Sequence, residues 1–142
     1  MIAIEQPDLA SSLELTSDVA VSRRILIADD DHDSAESLAL LLQMEGHDVM
    51  IANDGETALR LFQERKPHFG LLDIGMPQMS GYELARRIRA QEGGAKVRLI
   101  AVTGWGQDKD REASLSAGFD HHLTKPCELA DLLALFTTAE AA

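Results

Sequence analysis

Four apolar runs in this chain lead into polar residues whose types complement one another. Ile25–Ala28 is followed by Asp29 and Asp30, "GLLDIGMP" carries Asp73, "LIAVTGWG" carries Thr103, and "HHLTKP" carries Lys125 just before Pro126. Three carboxylates, a hydroxyl and an ammonium gathered on one rim would suit phosphoryl transfer. Carboxylate oxygens fit a hard divalent cation, and Mg²⁺ typically takes one or two of them together with waters and a substrate phosphate. An aspartate beside such a cation can act as a nucleophile towards phosphorus and form an aspartyl phosphate. The cation, Lys125 and Thr103 would then meet the charge and hydrogen-bonding needs of the transferring group. Taken singly, each residue reads more plainly as a helix cap, a strand end or a surface charge. Their joint placement is what points to chemistry.

Two other motifs fail on the same stretch. Asp29-x-Asp31-x-Asp33 begins like a calcium-binding loop, but the sixth position is Ser34 rather than Gly and the twelfth is Leu40 rather than Glu. The first strand-to-helix turn also lacks the Gly-rich loop of a dinucleotide site.

The elements that must position these residues alternate along the chain. Strands are predicted at Ile25–Ala28, Val49–Ala52, Phe69–Leu72, Val97–Val102 and Phe119–Leu123. Helical spacing lies between and after them: Ala35, Leu38, Ala39 and Leu42; a shorter stripe of Ala58, Leu61 and Phe62; Gly81, Leu84, Ala85 and Ile88; and Leu129, Leu132, Leu133 and Phe136. Lys109–Ala117 is the weakest of the five helices. Such alternation predicts an α/β fold, a parallel sheet covered on both faces, with ligands beyond the carboxyl ends of its strands. Asp33 with Glu36 reads as a capping-box-like pair at the start of the first helix.

The composition fits that picture. At 142 residues the chain suits one domain, and 24 acidic against 13 basic residues give a net charge of -11. That balance opposes nucleic-acid phosphates and anionic lipid and favours metal ions or basic protein surfaces. Cys127 is the one cysteine, so no intrachain disulfide forms and a reducing cytoplasm is expected. No run approaches the about 18 apolar residues of a membrane span. Residues 1–22 hold four acidic residues and no Lys or Arg, and read as an arm or linker before a domain at 23–138 and a short tail at 139–142.

From about Arg23 to Phe136 the chain resembles the receiver domain of two-component response regulators. The pieces "ILIADDD", "ANDGETAL", "LLDIGMPQMSGYEL", "IAVTGW" and "AGFDHHLTKP" occur in family order. The resemblance implies a doubly wound, flavodoxin-like five-stranded parallel sheet of order 2-1-3-4-5 with five helices, and Asp73 as phosphoacceptor. It implies a Mg²⁺ (or Mn²⁺) site from the side chains of Asp30 and Asp73, with Asp29 supporting and Gly75 giving its backbone carbonyl. Thr103 would contact the phosphoryl group and act in switching, Lys125 would pair with phosphoryl oxygens, and the Lys125–Pro126 bond would be cis. Gly104 fits a position where a small residue keeps the site open. His122 falls where such domains carry a rotating aromatic residue, and is read as a switch residue, with a half-buried strand histidine as the plain alternative. Trp105 is expected either to sit over the site and limit water attack or to be an exposed loop aromatic.

The implied partners are a sensor histidine kinase, a histidine phosphotransfer protein, or both. The domain itself would be a monomer or weak dimer and not a turnover enzyme. Either a stand-alone regulator or a receiver cut from a hybrid kinase fits, since no DNA-binding or catalytic segment follows "TTAEAA". Two rival readings are a metal-dependent phosphatase with an aspartyl nucleophile and a pseudo-receiver that takes no phosphate. The first expects a second Asp two residues after the nucleophile, where Gly75 stands; the second is not favoured by any missing site residue.

Overall fold

A computed structural model describes residues 22–104 and 111–141. Five parallel strands, β1 (Arg24–Ala28), β2 (Asp48–Ala52), β3 (Phe69–Asp73), β4 (Arg98–Thr103) and β5 (His121–Thr124), form one sheet in the order β2-β1-β3-β4-β5. Five helices alternate with them: α1 (His32–Met44), α2 (Gly55–Arg65), α3 (Gly81–Arg89), α4 (Arg111–Ala117) and α5 (Leu129–Ala141). The doubly wound order expected from the motifs is the one observed.

Each inner strand is apolar on both faces because each face is covered. Leu26, Ala28, Leu72, Leu99 and Ala101 point to one layer with Phe62 of α2 and Leu84 and Ile88 of α3. Ile25, Ile27, Leu71, Ile100 and Val102 point to the other, against Ala35, Ala39 and Leu42 of α1 and Leu132 and Phe136 of α5. Burying a large aliphatic side chain contributes about 1.5–3 kcal/mol before entropy is counted. These two layers therefore carry the stability that keeps the strand ends in place.

The caps fix where helices begin above the rim. Asp31 caps α1, accepting from the backbone N–H groups of Asp33 and Ser34; Asp54 caps α2 and Ser80 caps α3. The pair Asp33–Glu36 is therefore not the cap: Asp33 lies inside the first turn of α1, and the capping role falls two residues earlier on Asp31. β5 starts at His121 rather than Phe119. Phe119 and Asp120 belong to the turn after α4, where Phe119 N–H donates to Ser114 O and Asp120 N–H to Leu99 O. α5 continues to Ala141, past residue 138 where the sequence pattern closes the domain. Residues 1–21 of the arm, and Trp105, lie outside the described residues.

Candidate functional site

Parallel register brings the ends of β1, β3, β4 and β5 to one edge. Asp29 follows β1 and stays in the sheet's hydrogen-bond pattern through its N–H, which donates to Ala52 O at 3.0 Å. Its carbonyl accepts from the Asn53 side chain at 2.9 Å, and its Oδ1 accepts the Asp31 N–H at 2.9 Å. Asp73 closes β3, with Oδ1 accepting the Gly75 N–H at 2.9 Å. Both carboxylates are buried, each residue 7 % exposed, while Asp30 faces solvent. One carboxylate oxygen from each of Asp29, Asp30 and Asp73 can be chosen so that all lie within 4.8 Å of one another.

Lys125 supplies the positive charge. Its Nζ donates to Asp29 Oδ2 at 3.2 Å and to Asp73 Oδ2 at 3.4 Å. Its backbone N–H donates to Thr103 O at 2.8 Å, which ties the start of the β5–α5 connection to β4. The Lys125–Pro126 peptide bond is cis, as the motif implied. Burial works against the Lys125 ammonium, but Asp73 and Asp29 outweigh it and hold the pKa above the ordinary lysine value. For Asp29 burial dominates and raises the pKa, with Asp73 adding to it and the Asp31 N–H and Lys125 opposing.

One ammonium thus pairs with two of three clustered carboxylates, in a partly desolvated pocket. The donors are all hard oxygens, two of them fixed by backbone N–H groups, and negative charge remains in excess. That set fits Mg²⁺ or Mn²⁺ and fits no soft metal. The contact the structure gives Gly75 is made by its N–H on Asp73, not by its carbonyl.

Thr103 is buried, and its Oγ1 lies 3.3 Å from His122 Nε2. The two residues expected to act in switching are therefore in contact across the β4–β5 step. His122 is half-buried, as is His121 beside it. Asp29, Asp73, Gly104 and Lys125 line a cleft of ≈ 670 Å³ that extends along α1 through Ser37, Leu38 and Leu41 to Cys127.

The sequence placed Gly81 on the apolar stripe of a helix and gave neither it nor Asn53 a role at the site. Asn53 follows β2 within "ANDG", and only the β1–β2 pairing reveals that it reaches Asp29. At Gly81 a side chain would meet the Asp73 carbonyl oxygen at 2.7 Å and Ile74 Cα at 2.8 Å. The first turn of α3 therefore packs directly on the backbone that carries Asp73.

Residues 25–137 match the family model described as the response regulator receiver domain. An uncharacterized 14.6 kDa protein of Leptolyngbya boryana is 37% identical over 111 residues, covering 78% of this chain and 85% of that one. The response regulator MprA of Mycobacterium leprae is 38% identical over 111 residues, 78% of this chain and 48% of its own length, so the chain spans about half of that relative. Among solved structures, the receiver domain of sensor histidine kinase PA1611 of Pseudomonas aeruginosa, with a magnesium ion coordinated in its active site cleft, has a TM-score of 0.77. It is 30% identical, covering 85% of this chain and 99% of that one. A CheY-like receiver domain protein of Methanospirillum hungatei is 33% identical with a TM-score of 0.74, covering 82% and 91%. With its fold, its rim of carboxylates and these relatives together, the chain belongs to the response regulator receiver domain family of two-component signalling.

Proposed function

We propose that Asp73 accepts a phosphoryl group from a phosphohistidine, and that the modified Asp73 shifts the face formed by α4, β5 and α5. The observation that carries this reading is the buried Asp73 carboxylate, held by the Gly75 N–H and the Lys125 ammonium beside Asp29 and Asp30. In the transfer, the donor's N–P bond breaks as a carboxylate oxygen of Asp73 bonds to phosphorus, and the freed imidazole takes up a proton. A bound Mg²⁺ would neutralise charge on the transferring group, and its ligands would come from Asp29, Asp30, Asp73 and the Gly75 carbonyl.

The chain's own groups do the rest. Lys125 already reaches Asp73 and would pair with the phosphoryl oxygens. The Thr103 hydroxyl now contacts His122; a phosphoryl oxygen competes for that hydroxyl, and His122 repacks when it is drawn away. Coupling of this kind is worth about 1–3 kcal/mol. The phosphodonor would be a sensor histidine kinase or a histidine phosphotransfer protein. In support, the chain is similar to a histidine kinase's own receiver domain, and the cleft beside Asp73 continues onto Leu38 and Leu41 of α1. Among the described residues no helix is long and apolar enough to cross a membrane.

Phosphotransfer profiling against phosphorylated histidine kinases and phosphotransfer proteins tests the reading. Label should move to this chain from a small subset of donors, without turnover of phosphate esters. Steady hydrolysis of such esters would instead favour an aspartyl-nucleophile phosphatase.

A further inference from the structure

The amino end of the sheet holds titratable groups that the phosphoryl chemistry does not use. His47 and His68 immediately precede β2 and β3, the two strands that flank β1. Each ring accepts a backbone N–H from the start of β1. Arg23 N lies 3.1 Å from His47 Nδ1, and Arg24 N lies 2.9 Å from His68 Nδ1. The main chain answers in the other direction, Asp48 N–H donating to Arg23 O at 2.9 Å and His68 N–H to Arg24 O at 2.8 Å. Two consecutive residues are thus gripped from both sides.

An amide can donate only to a ring nitrogen that has its lone pair free, so both Nδ1 atoms are unprotonated and any ring proton sits on Nε2. A second proton would turn each acceptor into a donor facing a donor. The surroundings already resist that proton. Burial lowers the His47 pKa, Arg23 lowers it further, and Glu45 opposes. His68 is exposed, and the partial desolvation of its ring lowers its pKa, with Arg24 and Arg23 adding to it. Nearby Asp48 is engaged by Arg65 at 2.9 Å. From α5, His47 meets the edge-on ring of Phe136 at 5.5 Å rather than a charge. From β4, Arg98 gives His68 a backbone N–H while its guanidinium lies 3.9 Å from Asp120.

We propose that His47 and His68 form a proton-released clasp where the chain enters β1, so that mild acid loosens Arg23 and Arg24 while the carboxylate rim keeps its shape. The sign follows from linkage. Both folded-state pKa values lie below the ordinary 6.5, so between the two values the unfolded chain binds more protons. The clasp's contribution is complete above the unfolded value and is lost as pH falls through the folded ones.

Amide hydrogen exchange on the full chain tests this. The Arg23 and Arg24 amides are followed from about pH 7.5 to about pH 5, after correction for intrinsic exchange, in an interval set by the histidine titration. Corrected exchange should rise about three- to tenfold for each bond lost, with Asp73 and its neighbours unchanged. In the double variant His47→Asn/His68→Asn, whose side-chain oxygens can accept without titrating, the rise should disappear. Unchanged protection in the native chain, or an equal rise in that variant, overturns the clasp. If the variant is unprotected even at neutral pH, the ring ¹⁵N titration of the native chain decides. Nε2–H tautomers with both pKa values below 6.5 support the clasp, and an ordinary or raised value for either ring refutes it.

Discussion

At the carboxyl end of the sheet Asp29 and Asp73 share the ammonium of Lys125, with the Asp30 carboxylate close by, whereas at the amino end cationic side chains are divided among carbonyl oxygens. Arg24 donates to Arg65 O at 2.9 Å and Lys66 O at 2.8 Å, and Lys66 donates to Glu92 O at 2.9 Å. Arg89 reaches Gly94 O, Val97 O and Gly118 O and also pairs with Asp120. A doubly wound fold points helix C-termini, with their unsatisfied carbonyls and negative dipole ends, at the amino edge of the sheet. There the chain provides its own cations, and charge is settled within the fold. At the other edge it gathers more negative charge than it neutralises. Excess charge at a well-packed edge thus marks where something from outside is expected.

The largest effect should come from breaking the settled end. Arg89→Ala removes a largely buried guanidinium and leaves several carbonyls unpaired, so unfolding free energy should fall by about 2–4 kcal/mol. A urea midpoint measurement reads this. Arg89→Lys should recover only part, since an ammonium cannot copy the planar fork.

Gly81→Ala tests the other end through its backbone. The added methyl would push on the Asp73 carbonyl, costing about 1–3 kcal/mol in thermal or urea unfolding. It should also reduce phosphorylation of Asp73 by more than the unfolded fraction accounts for.

Asp73→Asn has the opposite sign. Without divalent cation, removing one of three clustered carboxylates should raise Tm by about 3–5 °C, roughly what 1 kcal/mol is worth in a domain of this size. Added Mg²⁺ should stabilise the native chain, and the same variant should lose most of that gain. A lowered Tm would mean that Lys125 already balances the cluster.

The smallest effect is the pH dependence of Mg²⁺ binding. Asp29 has a folded-state pKa above its ordinary 3.8, so the folded chain holds this proton to higher pH than the unfolded chain does. Without Mg²⁺, this group's contribution to stability therefore falls as pH rises from 3.8 through the folded value. With Mg²⁺ the carboxylate must be ionised, so the Mg²⁺-induced Tm shift should shrink as pH falls through that same value. A shift that grows in acid would sink the assignment of Asp29 to the cation site.

Much of the rim was legible in the sequence because parallel strands deliver their last residues to one edge, whatever the loops do. Asp29, Asp73, Thr103 and Lys125 follow from the ends of apolar runs, while the contact between Thr103 and His122 needs the β4–β5 pairing to be seen. The amino end was far less legible. Arg24 and Arg89 bind backbone carbonyls that carry no residue signature, 41 and 29 positions away in the cases of Arg65 and Gly118. His47 and His68 likewise meet amides, and strand pairing alone reveals that. The first helix cap was misread because several carboxylates in a row could each serve; the backbone picks Asp31, whose side chain reaches the amides of Asp33 and Ser34. Asn53 stood in a recognised motif, but its partner is a main-chain oxygen 24 residues away.

Whether the unbalanced edge takes a phosphoryl group on Asp73, as proposed, is read by intact-mass analysis with peptide mapping after incubation with acetyl phosphate. One added phosphoryl group is expected, located on Asp73, requiring Mg²⁺ and absent from Asp73→Asn. Label on another residue, or undiminished label in that variant or in the presence of a chelator, would contradict it.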